Sequence, residues 1–219
     1  MPYQIYIGGL FSVAALVLLG LRLWAEHRGE QDRVYLYRPL TMVSIAMVAM
    51  VAPEPISVFY KGAIILALLL ALGGEAIMMI SGAPIMVGVI HVSLVSFLYF
   101  LAFASQVSMA WPTVWALLIP LYTAVVFYLL APHLGEFWFP GLAFALLLAL
   151  MTWMALETVA QHGALWAWLA LAGSLALDVA ATVLGWRTYR RGFRFDGVLL
   201  AVAYVIGQWL VAASVWGPL

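Results

Sequence analysis

Long apolar runs alternate along the chain with short breaks that are polar or rich in Pro and Gly. A helix that crosses a bilayer needs about 20 mostly apolar residues. Eight runs fit or approach that length: residues 3–25, 38–51, 57–80, 84–104, 112–131, 140–159, 164–185 and 197–216. The breaks are of kinds that stop helices. A charged stretch containing AEHRGEQDR occupies 26–38, Pro53-Glu54-Pro55 ends the second run, and Ser81-Gly82-Ala83-Pro84 ends the third. PHLGEFWFP, Gln161-His162-Gly163 and the basic WRTYRRGFRFD separate the later runs, and Pro120 falls inside the fifth. The pattern predicts an all-α polytopic transmembrane bundle of about eight spans, forming one domain over residues 1–219. The first run has no Lys or Arg before it and no small-residue cleavage site, so it is expected to stay as a span.

Composition supports the same class. Of 219 residues, 67% are hydrophobic and only 8% charged, against roughly 45–50% and 25% in soluble domains. Polar side chains cannot cover such a chain, which excludes a soluble enzyme, a disordered segment and a secreted disulfide scaffold. The formal net charge of zero argues against a nucleic-acid partner. With no cysteine, thiol nucleophiles, iron–sulfur clusters and cysteine-ligated zinc are excluded, and no cofactor or metal is expected.

Charge placement orients the spans. Arg22, Arg28, Arg33 and Arg38 flank the first loop, while Arg187, Arg190, Arg191 and Arg194 fill the last, and only Lys61 lies elsewhere. The positive-inside rule puts both basic loops in the cytoplasm. Six crossings then separate them, which requires the short second span and places both termini outside the cytoplasm. A bacterial inner membrane is the expected location. The last basic cluster reads as a topology determinant lying on anionic lipid. Trp24, Trp111, Trp115, Trp138, Trp166, Trp168, Trp186 and Trp216 fall near span ends, where interfacial anchors belong.

Ionisable groups inside a membrane are expensive and are functional candidates by default. Glu75, Asp178, His91, Arg38 and Tyr204 come from five different spans, and the orientation above puts all five in the cytoplasmic half. Ser96 and Tyr99 lie further along the fourth span, and Gln208 sits one turn from Tyr204 on the same helix face. The pattern predicts a polar pocket inside the bundle, open to the cytoplasmic leaflet. Each residue also has a plainer reading. The acids can pair with Arg38 simply to hold helices together, His91 can be a satisfied interior histidine, and Tyr204 with Gln208 can be interhelical glue. Glu157, His133 and His162, at span ends, read as solvated.

The order of motifs resembles the YhhN family of eight-span membrane proteins, the lysoplasmalogenases. The matching residues are Arg38-Pro39-Leu40-Thr41, Gly74-Glu75, Leu98-Tyr99-Phe100-Leu101-Ala102-Phe103, Asp178, and Tyr204 with Gln208, spanning about 36–213. Where the family usually has Lys before Pro-Leu, this chain has Arg38, and the family's Gly-Asp is Gly74-Glu75. The family's His-x-x-Tyr reads Ser96-x-x-Tyr99, with His91 five residues earlier, Leu177-Asp178 stands for Ser-Asp, and Phe144 stands for a tyrosine. The resemblance implies hydrolysis of the vinyl ether bond of lysoplasmalogen to a fatty aldehyde and a glycerophospho-alcohol. That chemistry needs a carboxylic acid to protonate carbon and an ionised carboxylate to stabilise the oxocarbenium ion, a division that Glu75 and Asp178 can supply. Arg38 would bind the phosphate, with His91, Ser96, Tyr99, Tyr204 and Gln208 as the other substrate-binding candidates and the bundle interior taking the alkenyl chain. Two other classes remain. One is a non-catalytic subunit or scaffold of a larger membrane complex, which the departures support. The other is a small transporter or lipid-binding protein using the same polar layer.

Overall fold

The computed structural model describes residues 2–79, 85–108 and 113–217. Its helices are α1 (Pro2–Arg28), α2 (Gln31–Met50), α3 (Val58–Met78), α4 (Ile85–Ala104), α5 (Leu118–Leu134), α6 (Trp138–His162), α7 (Leu165–Tyr189) and α8 (Asp196–Ala213). Among the described residues there is no strand, and a single isolated bridge joins Pro55 to Trp216. All but α2 are long and apolar enough to cross a membrane, α5 together with the 3-10 turn Val114–Leu117 that leads into it. Helix α2 has 20 residues, about 30 Å at 1.5 Å per residue. Its first turns carry Gln31, Asp32, Arg33 and Arg38.

Two expected loops are tight turns instead. Helix α1 runs on to Arg28, Gly29 takes φ +72°, and α2 starts two residues later. The amides of Gly29 and Glu30 bond to the carbonyls of Glu26 and Ala25 at 3.2 and 3.0 Å, the glycine-capped ending that satisfies a helix's last carbonyls. Pro39 is therefore inside α2, where it removes one backbone donor. The PHLGEFWFP segment is likewise the end of α5, one 3-10 turn Gly135–Phe137, and the start of α6. The Ser81–Pro84 break, Trp111 and Pro112 lie outside the described residues.

Helices α2, α3, α4, α6, α7 and α8 pack in that order into a closed ring, with α1 against α2 and α8, and α5 against α6 and α7. The interior is filled by Met42 and Ile45 of α2, Tyr60, Ile64 and Leu68 of α3, Tyr99 and Phe103 of α4, Met151 of α6, and Val205 and Val211 of α8. Leu10, Val125 and Phe139 are among the large apolar side chains on the outer faces, as lipid contact demands. Helices α7 and α8 cross through glycine. A Cβ on Gly173 would lie 2.9 Å from the Gly207 carbonyl oxygen, and one on Gly207 would lie 3.1 Å from that of Gly173. Such close backbone approach is how helices associate where lipid removes the hydrophobic drive.

Polar groups collect at both ends of the ring. At one end, the Gln106 amide donates to the Ser57 hydroxyl at 3.2 Å, and the Gly217 amide donates to the Glu54 carbonyl at 3.1 Å. Lys61 lies here, and its Nζ donates to the carbonyls of Met50 and Ala52 at 2.9 and 2.7 Å. Its charge serves the C-terminal end of α2, where a cation is favoured. Two of the expected interfacial tryptophans are structural. Trp166 is buried against Tyr60, ring centroids 5.8 Å apart. Trp216 lies on Gly8 and donates to the Val48 carbonyl at 3.1 Å.

Candidate functional site

The other end of the ring holds most of the ionisable residues. Arg22 and Glu26 are one turn apart on α1 and meet through Nε and Oε1 at 3.0 Å. Arg38, in the first half of α2, reaches across to both neighbours. Its Nη2 lies 3.8 Å from Glu26 Oε1 and its Nη1 lies 3.9 Å from Glu75 Oε2. Glu75 belongs to the last turn of α3. Tyr204 of α8 faces the same group, within electrostatic reach of Glu75, Arg22 and Arg38. Two guanidinium groups and two carboxylates thus form a neutral set drawn from three helices, with a phenol from a fourth. Arg22 is 6% exposed, and a charge that deep stands only with its partner in place.

His91 reaches this end by a steric route. Its ring lies on the backbone of Gly74, so closely that a Cβ there would overlap the imidazole Cδ2 and Nε2. The Gly-acid pair of α3 therefore has two jobs: the glycine admits His91, and the acid next to it pairs with Arg38. Gly74→Ala should make the ring turn away at a cost of about 1 kcal/mol, the low end for overpacking because the imidazole is the movable end of its side chain, measured by thermal unfolding of the purified protein. Adding His91→Ala should recover most of the loss. A Gly74→Ala variant that gains no stability when His91→Ala is added would contradict this packing.

Asp178 sits in a different polar centre. It is buried on α7, and its Oδ2 accepts a hydrogen bond from Thr152 of α6 at 2.8 Å. Thr182 donates to the Asp178 main-chain carbonyl at 2.8 Å and its hydroxyl meets that of Tyr122 on α5 at 2.7 Å. Among the described residues, no cation lies within ion-pair distance of Asp178, and no polar contact joins it to the Arg38–Glu75 set. Tyr99 donates to Gln208 Oε1, which ties α4 to α8 in the buried interior. Ser96 donates to the Val92 carbonyl of its own helix at 2.9 Å.

Buried polar atoms without a partner are rare and mark places to look for function. Among the described residues, the side-chain atoms in that condition include Arg38 Nε, His91 Nε2 and Asp178 Oδ1, alongside Trp209 Nε1 and Glu30 Oε2. The Glu30 atom is 2.8 Å from Arg33 Nη1, so its charge is compensated. Three of the remaining four belong to residues picked out by their position in the membrane.

Sequence reasoning passed over Arg22 and Glu26, whose signal was their spacing of four at the end of an apolar run. It also missed Thr152, one of two threonines in the sixth run, with nothing in the sequence to set it apart from Thr158. Glu157 is not solvated. It is 5% exposed and accepts from the Thr113 amide, the Thr113 hydroxyl and Trp153 Nε1 at 2.8, 3.0 and 3.2 Å, which ties the entry of α5 to α6.

A model of the YhhN family matches residues 34–215. The chain is 27% identical over 217 residues to the "Uncharacterized membrane protein YhhN" of Escherichia coli O6:H1, covering 94% of this chain and 99% of that protein. The proteins of the same name from Escherichia coli O157:H7 and Shigella flexneri match to the same extent. No solved structure matches.

Proposed function

This chain belongs to the YhhN family of membrane proteins, and on that premise we propose that it hydrolyses the vinyl ether bond of lysoplasmalogens. The observation that carries the reading is a pair of carboxyl groups in contrasting settings. Glu75 stands 3.9 Å from the Arg38 guanidinium. Asp178 has no cation, one hydroxyl donor and one unpartnered oxygen. In the reaction, Asp178 donates its proton from Oδ1 to the outer vinyl carbon. The resulting oxocarbenium ion is stabilised by negative charge, a part this reading gives to Glu75, which a bound substrate must bring within reach because Asp178 and Glu75 lie in separate polar centres. Water adds to the cationic carbon and returns a proton to Asp178. The hemiacetal then breaks into a fatty aldehyde and a glycerophospho-alcohol. Arg38 and Arg22 receive the phosphate, as guanidinium groups do well.

A non-catalytic role is the second reading. It is favoured by the way Arg38 bridges two acids and Tyr99 closes on Gln208, contacts that hold five helices together without any substrate. The deciding experiment incubates purified protein with a lysoplasmalogen and with the matching ester lysolipid. Aldehyde released from the vinyl ether alone supports hydrolysis. No aldehyde from any headgroup variant favours the scaffold.

We further propose an inner-membrane orientation with both termini outside the cytoplasm, since eight of nine basic side chains fall beside two loops six helices apart. A periplasm-active reporter fused after Leu219 should be on, and a cytoplasm-active one off. The reverse pattern would overturn the orientation.

A further inference from the structure

Away from the Arg38–Glu75 set, the ends of α5 and α7 border a shallow, open recess of about 420 Å³ lined by His133, Trp186, Tyr189, Arg190 and Arg191. Gly185 brings the two helices together, since a Cβ there would lie 3.0 Å from Leu130 Cδ1. Tyr189 is braced by Phe137 of the α5–α6 turn, with ring centroids 6.3 Å apart. The Arg190 guanidinium lies 4.3 Å from the Trp186 ring centroid, a stacking contact that holds it in place.

The charge at this recess is uncompensated. Arg22, Arg33 and Arg38 each pair with an acid, whereas among the described residues Arg187, Arg190, Arg191 and Arg194, like Arg28, have none within ion-pair distance. The partial negative charge at the end of α7 balances only a small part of four guanidinium groups. The approach to the recess is apolar, for along α5 Val125, Tyr128 and Leu129 are all exposed, Tyr128 at 78%.

We propose that this recess binds the phosphate headgroup of one anionic phospholipid. Arg190 and Arg191 hold the phosphate through charge-assisted hydrogen bonds. Trp186 and Tyr189 cover the glycerol, and the acyl chains run down the outer face of α5. Net negative charge on the lipid is required because Arg190 and Arg191 both line the recess and neither has an acid within ion-pair distance among the described residues. No residue is shared with the proposed hydrolytic site, so the two proposals stand or fall separately.

The test uses the full chain in detergent, titrated with phosphatidylglycerol and followed by native mass spectrometry. One lipid should be retained, with phosphatidylcholine bound at least tenfold more weakly. Arg190→Gln with Arg191→Gln should weaken retention tenfold or more, and Trp186→Ala should also weaken it. Arg187→Gln with Arg194→Gln removes the same charge outside the recess and should leave retention nearly unchanged. Equal loss in both double variants would reduce the effect to a surface field and overturn the site. Equal binding of phosphatidylcholine would overturn the charge requirement. Displacement of the lipid by glycerol phosphate at equal concentration would show that the recess takes a free phosphate ester, and would overturn the lipid assignment.

Discussion

Asp178→Asn and Glu75→Gln should each lower aldehyde release from lysoplasmalogen by roughly 10²–10⁴-fold, the range for loss of a positioned acid or base. The amides keep the shape of each side chain. Asparagine at 178 can still accept from Thr152, now 2.8 Å away, but has no carboxyl proton to give to carbon. Glutamine at 75 has no negative charge to set against the oxocarbenium ion or to hold Arg38. The readout is turnover per folded molecule, with folding followed by helix content and gel filtration. Arg38→Gln should mainly weaken substrate binding if Arg38 holds the phosphate. His91→Ala distinguishes two roles for the imidazole. If Nε2 takes part in the reaction, its loss should be as damaging as that of a carboxyl group. If the ring only packs on Gly74, the protein should lose some stability and keep its turnover. Full activity in either carboxyl variant would end the two-carboxyl mechanism.

Gly207→Leu should have the largest effect on folding, about 3 kcal/mol or more, at or beyond the top of the usual overpacking range. A Cβ at 207 would lie 2.9 Å from Leu177 Cγ and 3.1 Å from the Gly173 carbonyl oxygen. Leu177 can turn away, but the Gly173 oxygen belongs to helix backbone and cannot move alone. The remaining atoms of leucine would drive α7 and α8 apart along their whole crossing, and both helices close the ring. Loss of folded protein in detergent, scored by gel filtration and thermal unfolding, is the expected outcome. Gly9→Leu is the control, because nothing lies within 4 Å of a Cβ there. Equal stability of the two variants would show that the α7–α8 crossing is not held by glycine.

The eight helices were legible in the sequence because lipid leaves few options. A backbone in hydrocarbon must satisfy its own hydrogen bonds, so an apolar run of about 20 residues is a helix. Pro53 and Pro55 mark a turn wherever they occur. Glu75, Asp178, Arg38 and His91 stood out for the same reason, since charge is conspicuous against hydrocarbon. Partnerships were not legible. In water, an inward helix face is apolar and an outward face polar, so the sequence shows which way a helix turns. Here lipid and core are equally apolar, and Leu10 on the outside and Leu68 in the interior look alike. Only the folded chain therefore shows that Arg22 and Glu26 join Arg38 and Glu75, that Thr152 finds Asp178, and that Glu157 is buried on Thr113. The same blindness made Trp166 and Trp216 look like interfacial anchors, and it hid the α7–α8 crossing at Gly173 and Gly207. Local chemistry and the demand for backbone hydrogen bonds determined the helices from sequence. Which polar groups meet, and which faces bury them, was decided by long-range packing, which leaves no periodic trace when the solvent is as oily as the interior.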